Sequence, residues 1–300
     1  MNKSQSQIVL VTGATSGIGR ATALDLARAG HRVFATGRRA AALASLEKEA
    51  AGLKLEGLVM DVTKNESIAA VKKEIDARTD GYGVDAVVNN AGYGVGGPLE
   101  EVSDEALRAQ YDTNVFGLMA VTRTFLPAMR ERRHGRIINV SSVGGRVTLP
   151  LLGAYNSTKY AVESLSDALR IELRPFGVKV VIIEPGSIAT EFAEVAMDSI
   201  PSAKGSPYAG ALADAASFRK MFDDTAVAPS HVTSAIVKAV ESRSPSARYV
   251  RPWRTYAMLW FMGLLPTSWV DAILGRLTGL TVKKLSAAAA PVLPPAAEAA

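Results

Sequence analysis

Short runs of consecutive apolar, mostly β-branched residues alternate along this chain with longer stretches whose apolar positions recur every three or four residues. The run IVLV within 8–12 ends in glycines, and 17–29 carries Ile18, Ala21, Leu24 and Ala27 at helical spacing before Gly30. The alternation continues. Strands are predicted over 32–36, 55–60, 84–89, 136–141 and 178–184, and helices over 40–51, 67–78, 104–132, 154–173 and 231–243. Strands separated by helices require right-handed crossovers, hence a parallel sheet covered on both faces. Runs such as VKVVII suit strands buried on both sides. The expected fold is α/β: a doubly wound parallel sheet of the Rossmann type, in a single domain over 1–250. A helical extension follows over 251–285, then a low-complexity Ala/Pro tail over 286–300 that is expected to be disordered.

Composition narrows the chemistry. With 300 residues, 48% hydrophobic and 21% charged, the chain is neither disordered, collagen-like nor coiled-coil. It has no cysteine, which excludes disulfides, thiolate metal sites and a thiol nucleophile. His31, His134 and His231 are scattered, so no metal centre is expected. The first residues, MNKSQSQ, show no signal-peptide pattern, and a cytoplasmic protein is expected. The net charge of +5 is uneven: residues 241–300 carry +4 of it, and all three tryptophans as well.

In doubly wound sheets the ligand lies beyond the carboxyl ends of the strands. After the first strand stands Thr12-Gly13-Ala14-Thr15-Ser16-Gly17-Ile18-Gly19. Its glycines allow a tight turn and close approach, so that the N–H groups opening the next helix can face a pyrophosphate. Alone, such a turn is also an ordinary strand-to-helix connection.

The order of motifs is more specific. T-G-x-x-x-G-I-G, then Asn89-Asn90-Ala91-Gly92, Asn114, Ser142, Tyr155-x-x-x-Lys159 and Pro185-Gly186 resembles the short-chain dehydrogenases/reductases over roughly residues 7–190. Within that family, SSVGGRVTLPLLGAYNSTKYAVE and PGSIATEF are similar to the branch of 17β-hydroxysteroid and retinol dehydrogenases. The resemblance implies that Tyr155 is the general acid/base on the substrate oxygen and that Ser142 hydrogen-bonds the same oxygen; the adjacent Ser141 is one residue off the family spacing. It implies that Lys159 lowers the tyrosine pKa and binds the nicotinamide ribose, and that Asn114 holds a water linking Lys159 to solvent. Gly13, Thr15, Ser16, Gly17, Ile18 and Gly19 would cradle the dinucleotide, and Asn90, Ala91 and Gly92 would line it. Pro185 and Gly186 would sit at the nicotinamide, Ile188 near its carboxamide and Thr190 near the phosphates. Asp61, beside Val62, matches the family's adenine contact and equally reads as a signal for the start of the following helix.

The residues carry physical content of their own. Tyr155 and Lys159 are i,i+4 on one helix and therefore on one face. A nearby ammonium favours the phenolate, drawing a phenol of ordinary pKa near 10 towards the neutral range. The second strand ends in Gly37-Arg38-Arg39 with no acid. A carboxylate at this place serves the adenosine 2′-hydroxyl of NAD, whereas arginine suits a 2′-phosphate. NADP(H) is therefore expected in preference to NAD(H).

Residues 191–229 include Phe192, Met197, Ile200, Pro201, Tyr208, Met221 and Phe222, and read either as a lid over a lipophilic alcohol or ketone or as an ordinary packed helix pair. The segment from Arg254 to Asp271 is uncharged between its ends but broken by Pro266, too short for a spanning helix. It reads either as a peripheral membrane contact or as a helical pair packed on the pocket or on a second subunit. The expected activity is NADP(H)-dependent interconversion of a secondary alcohol and a ketone or aldehyde, in a homo-oligomer with no nucleic-acid partner. The alternatives are a non-catalytic NADP-binding sensor or scaffold, and an NADP-containing epimerase or dehydratase of the same fold.

Overall fold

Seven strands form one parallel sheet: β1 (Ile8–Val11), β2 (Arg32–Gly37), β3 (Leu55–Val59), β4 (Ala86–Asn89), β5 (Gly135–Val140), β6 (Val178–Pro185) and β7 (Arg248–Arg251). Their order is β3-β2-β1-β4-β5-β6-β7, so the direction of winding reverses between β1 and β4. The computed structural model describes residues 6–200, 205–213, 220 and 223–288. Six of the strands were expected; β7 was not.

Alternating side chains of the strands feed two cores. Val9 and Val11 join Val33, Val88 and Ile183 on one face, covered by α1 (Gly17–Arg28) and by Ser230–Glu241. Leu10 joins Phe34, Val87 and Ile137 on the other, covered by α3 (Asn65–Arg78) and Leu118–Glu131. At about 1.5–3 kcal/mol for each fully buried aliphatic side chain, these faces hold the sheet's register and aim every strand end at one edge.

Among the described residues the other α-helices are α2 (Ala40–Glu49), α4 (Asp104–Tyr111), α5 (Leu118–Glu131), α6 (Gly153–Leu173), α7 (Phe192–Asp198), α8 (Ala209–Leu212), α9 (Ser230–Glu241), α10 (Trp253–Met262), α11 (Thr267–Leu277) and α12 (Val282–Ala288). The single helix expected over 104–132 is interrupted: α4 and α5 are joined by a π-helical segment, Asp112–Gly117. At its end Gly117 packs closely on the chain after β3: a Cβ there would stand 2.9 Å from both the carbonyl oxygen and a methyl of Val62. Of the expected lid residues, Pro201, Met221 and Phe222 lie outside the described residues, as does the side chain of Met197. So does the expected tail from residue 289 on.

Candidate active site

The reversal between β1 and β4 leaves a crevice at their carboxyl ends, the usual place for a dinucleotide in such sheets. Thr12, the last polar residue of the β1 run, organises it. Its hydroxyl accepts from the backbone N–H groups of Asn90 and Ala91, both at 3.0 Å. In return, the Asn90 amide donates to the carbonyls of Thr12 (3.0 Å) and Gly13 (3.2 Å). The two turns are thereby bolted together. A Cβ at Gly19 would stand 2.2 Å from the Gly13 carbonyl and 2.4 Å from the Asn90 amide. Glycine is a packing requirement there. Alanine at Gly19 is expected to cost at least about 2 kcal/mol through overpacking and to weaken dinucleotide binding at least tenfold, read by thermal melting and cofactor titration. An unchanged cofactor affinity would detach this turn from binding.

A cavity of about 920 Å³ opens from this crevice. At one end lie Gly13, Thr15, Ser16, Gly17 and Ile18, with Arg38, Arg39, Asp61 and Val62 beside them. Burial alone would push the Asp61 carboxyl up; the Thr63 N–H and hydroxyl, with the charges of Arg38 and Lys64, hold it below the ordinary value. Asp61 thus both lines the cavity and makes the turn before α3, serving both readings of its sequence. Asn90, Ala91 and Gly92 form the middle of the wall, and Pro185, Gly186, Ile188 and Thr190 close it from β6.

Ser142, Tyr155 and Lys159 meet at the far end. Ser142 stands just beyond β5, where its hydroxyl accepts from the Gly144 N–H at 3.0 Å. Tyr155 and Lys159 lie one turn apart on α6, both buried. The Lys159 ammonium donates to the Val140 carbonyl at 2.9 Å and sits 5.6 Å from the centre of the Tyr155 ring. The expected lowering of the tyrosine is not what this arrangement produces. Burial pushes the Tyr155 phenol up to about 12, opposed by a hydrogen bond donated by Ser142. Burial pushes Lys159 down to about 8, opposed by the carboxylate of Glu163 one turn along. Desolvation is the largest influence on both groups.

Two predicted residues do not line the cavity. Gly19 lies beneath the turn. Asn114, on the π-helical segment, is buried behind the wall; its amide donates to the Tyr93 carbonyl (2.9 Å) and the Thr158 hydroxyl (3.0 Å), while its oxygen accepts from the Tyr93 N–H (3.1 Å). Sequence reasoning passed over Thr12, Asn156 and Tyr93. The Asn156 amide donates to the carbonyls of Gly144 (2.9 Å) and Val147 (3.0 Å), which holds the segment carrying Ser142. An asparagine directly after Tyr155 was the available signal, although its burial shows only in the structure. Over the catalytic end, Phe192 of α7 packs on Tyr155 with ring centres 4.9 Å apart, beside Leu149, Leu152 and Ala196.

The glycine cradle fits a dinucleotide, and comparison with known proteins agrees. The family model described as short chain dehydrogenase matches residues 7–200. The chain belongs to this family. A 3-ketodihydrosphingosine reductase of Bacteroides thetaiotaomicron is 35% identical over 244 residues, covering 81% of this chain and 87% of that protein. A short-chain dehydrogenase/reductase from Burkholderia phymatum, solved in complex with NAD, has a TM-score of 0.75 and 26% identity over 86% of this chain and 93% of its own. A serine dehydrogenase complexed with NADP+ has a TM-score of 0.71 and 32% identity over 81% of this chain and 93% of its own. This short-chain dehydrogenase is accordingly an oxidoreductase that uses a nicotinamide dinucleotide.

Proposed function

We propose that this enzyme interconverts a lipophilic secondary alcohol and the corresponding ketone, or an aldehyde, with NADP(H) in preference to NAD(H). The observation that carries the reading is the convergence of Ser142, Tyr155 and Lys159 at the end of a cavity whose opposite end holds Arg38 and Arg39. When bound, the nicotinamide supplies or accepts the hydride. The chain's own residues handle the proton and the oxygen. Ser142 orients the substrate oxygen. Tyr155, held neutral at pH 7, donates a proton to that oxygen during reduction and must lose one during oxidation. Lys159 would hold the ribose hydroxyls, and Asn114 fixes the backbone of Tyr93 at the cavity wall. Apolar Leu149, Leu152 and Phe192 around the phenol favour a lipophilic substrate, and α7 covers that end of the cavity. The keto group in the name of the Bacteroides relative supports the reaction class.

For the cofactor, neither Arg38 nor Arg39 forms an ion pair among the described residues, which leaves both guanidinium groups to a 2′-phosphate. In Arg38→Asp, a carboxylate replaces the clamp and repels that phosphate. The ratio of kcat/KM for NADPH over NADH is expected to fall at least about 30-fold, from the 2–5 kcal/mol scale of breaking such a pair. The same assay on a panel of ketones, from small to steroid- and retinoid-sized, tests the whole reading. Equal weakening of both cofactors would show that Arg38 does not read the 2′-position.

A further inference from the structure

Ten large apolar side chains between residues 253 and 282 are exposed, against nine in all the rest of the described chain. They are not scattered. On α10 the side turned towards the protein carries Thr255, Leu259 and Met262, each half-buried, while Trp253, Tyr256 and Trp260 on the opposite side are 71%, 61% and 64% exposed. On α11 Leu274 is buried, while Trp269, Ile273 and Leu277 form an exposed stripe. Both helices therefore present their larger apolar side outward, the reverse of a helix that covers a core.

The pair is anchored rather than loose. The first turn of α10 rests on the cavity wall, with the Thr255 hydroxyl 2.8 Å from where a Cβ at Gly186 would stand. Thr278, just after α11, is buried, and α12 packs against α8. Charge then decides what can cover the exposed side. Between 251 and 284 five Lys and Arg stand with a single acid, Asp271. In a two-fold dimer the same patch meets itself, which brings these cations together. An anionic bilayer receives them favourably, and tryptophan favours the boundary between lipid and water. No helix among the described residues is long and apolar enough to cross a membrane.

We propose that α10 and α11 form a docking surface for an anionic lipid bilayer, on which the protein lies with the wall of its catalytic cavity next to the lipid. The helices enter the headgroup boundary by Trp253, Trp260 and Trp269, while Arg254, Arg276 and Lys283 engage the lipid phosphates and carboxylates.

The test is co-sedimentation of the full chain with vesicles of phosphatidylcholine alone or mixed with phosphatidylserine. The protein is expected to pellet with the mixed vesicles and much less with the neutral ones. Raising salt from about 0.1 M to about 1 M, which shortens the screening length from about 10 Å to about 3 Å, should release much of it. Of two surface variants, Arg254→Glu/Arg276→Glu should bind at least about tenfold more weakly, since one basic residue near such a surface is worth roughly fivefold. Trp260→Ser should bind at least about tenfold more weakly because it loses a large apolar ring from the boundary. Unchanged dinucleotide affinity shows that both variants are folded, and sedimentation velocity should give each the wild-type mass. Wild-type protein that stays in the supernatant with both vesicle types overturns the proposal. So does undiminished vesicle binding by Trp260→Ser, or a fall in its solution mass, which would mean that a second copy covers these helices. The assay needs no turnover, so its outcome is independent of the substrate and cofactor proposed above.

Discussion

Replacing Tyr155 with phenylalanine is expected to lower turnover at least about 100-fold, the lower bound for losing a positioned general acid. The variant removes one oxygen and keeps the ring, which packs on Phe192 at 4.9 Å. Cofactor affinity should be unchanged, because the dinucleotide turns are bolted by Thr12 and Asn90 on separate elements. Stability should move by no more than about 1 kcal/mol, the net worth of one buried hydrogen bond. The wild type supplies a second readout. With the phenol pushed up to about 12, alcohol oxidation should climb as pH rises towards the alkaline range, while ketone reduction, which uses the protonated form, gains nothing from base. Single-turnover rates in both directions decide it. Near-normal rates in a folded Tyr155→Phe variant would move the proton transfer elsewhere.

Much of this site was legible because its chemistry is written in local motifs. The glycine turn, Ser142 and the Tyr155/Lys159 spacing each sit at the end of a strand or on a helix whose apolar pattern is unambiguous. What was not legible depends on distant partners. β7 is only RYVR, a run whose arginines argue against a buried strand. Its Arg248 is accommodated by Glu184 on β6 and Glu163 and Asp167 on α6, at 3.0, 3.2 and 2.6 Å, which no local pattern announces. The π-helical segment escaped because one additional residue per turn barely alters an apolar period of three to four. The direction in which the tyrosine pKa moves is hidden for a related reason. Spacing places the ammonium near the ring, but the magnitude of desolvation depends on how deeply both are enclosed. At the C-terminal end the sequence left two readings open, packing and lipid contact. Leu274 and Thr278 are turned in and the tryptophans are turned out, and the lipid proposal rests on that exposure.

Replacing Lys159 with methionine is expected to abolish most activity while stabilising the fold, and pH separates the two effects. Lys159 is buried and its pKa is pushed down to about 8 from the ordinary 10.5, desolvation being the main cause and Glu163 opposing it. Below pH 8 the lysine is charged in both folded and unfolded chains. Its burial there destabilises the fold by about 3 kcal/mol, since each tenfold loss of proton affinity corresponds to about 1.4 kcal/mol. Between pH 8 and 10.5 the unfolded chain binds the proton and the folded chain does not. Stability of the wild type therefore rises with pH in that window. Methionine fills similar space without a charge, although the Val140 carbonyl loses its 2.9 Å donor, which returns about 1–3 kcal/mol of the gain. The stability difference between variant and wild type should thus favour the variant most at pH 7 and move towards the wild type by about 3 kcal/mol by pH 10.5. Denaturant melts of both proteins at matched pH values measure it, and groups common to the two cancel. Turnover should fall at least about 100-fold at every pH, with a higher KM for the dinucleotide, since Lys159 would hold the ribose. A stability difference that stays constant from pH 7 to pH 10.5 would mean that Lys159 is not strained by its burial, and the site would then need another explanation for keeping a cation beside the Val140 carbonyl and the Glu163 carboxylate.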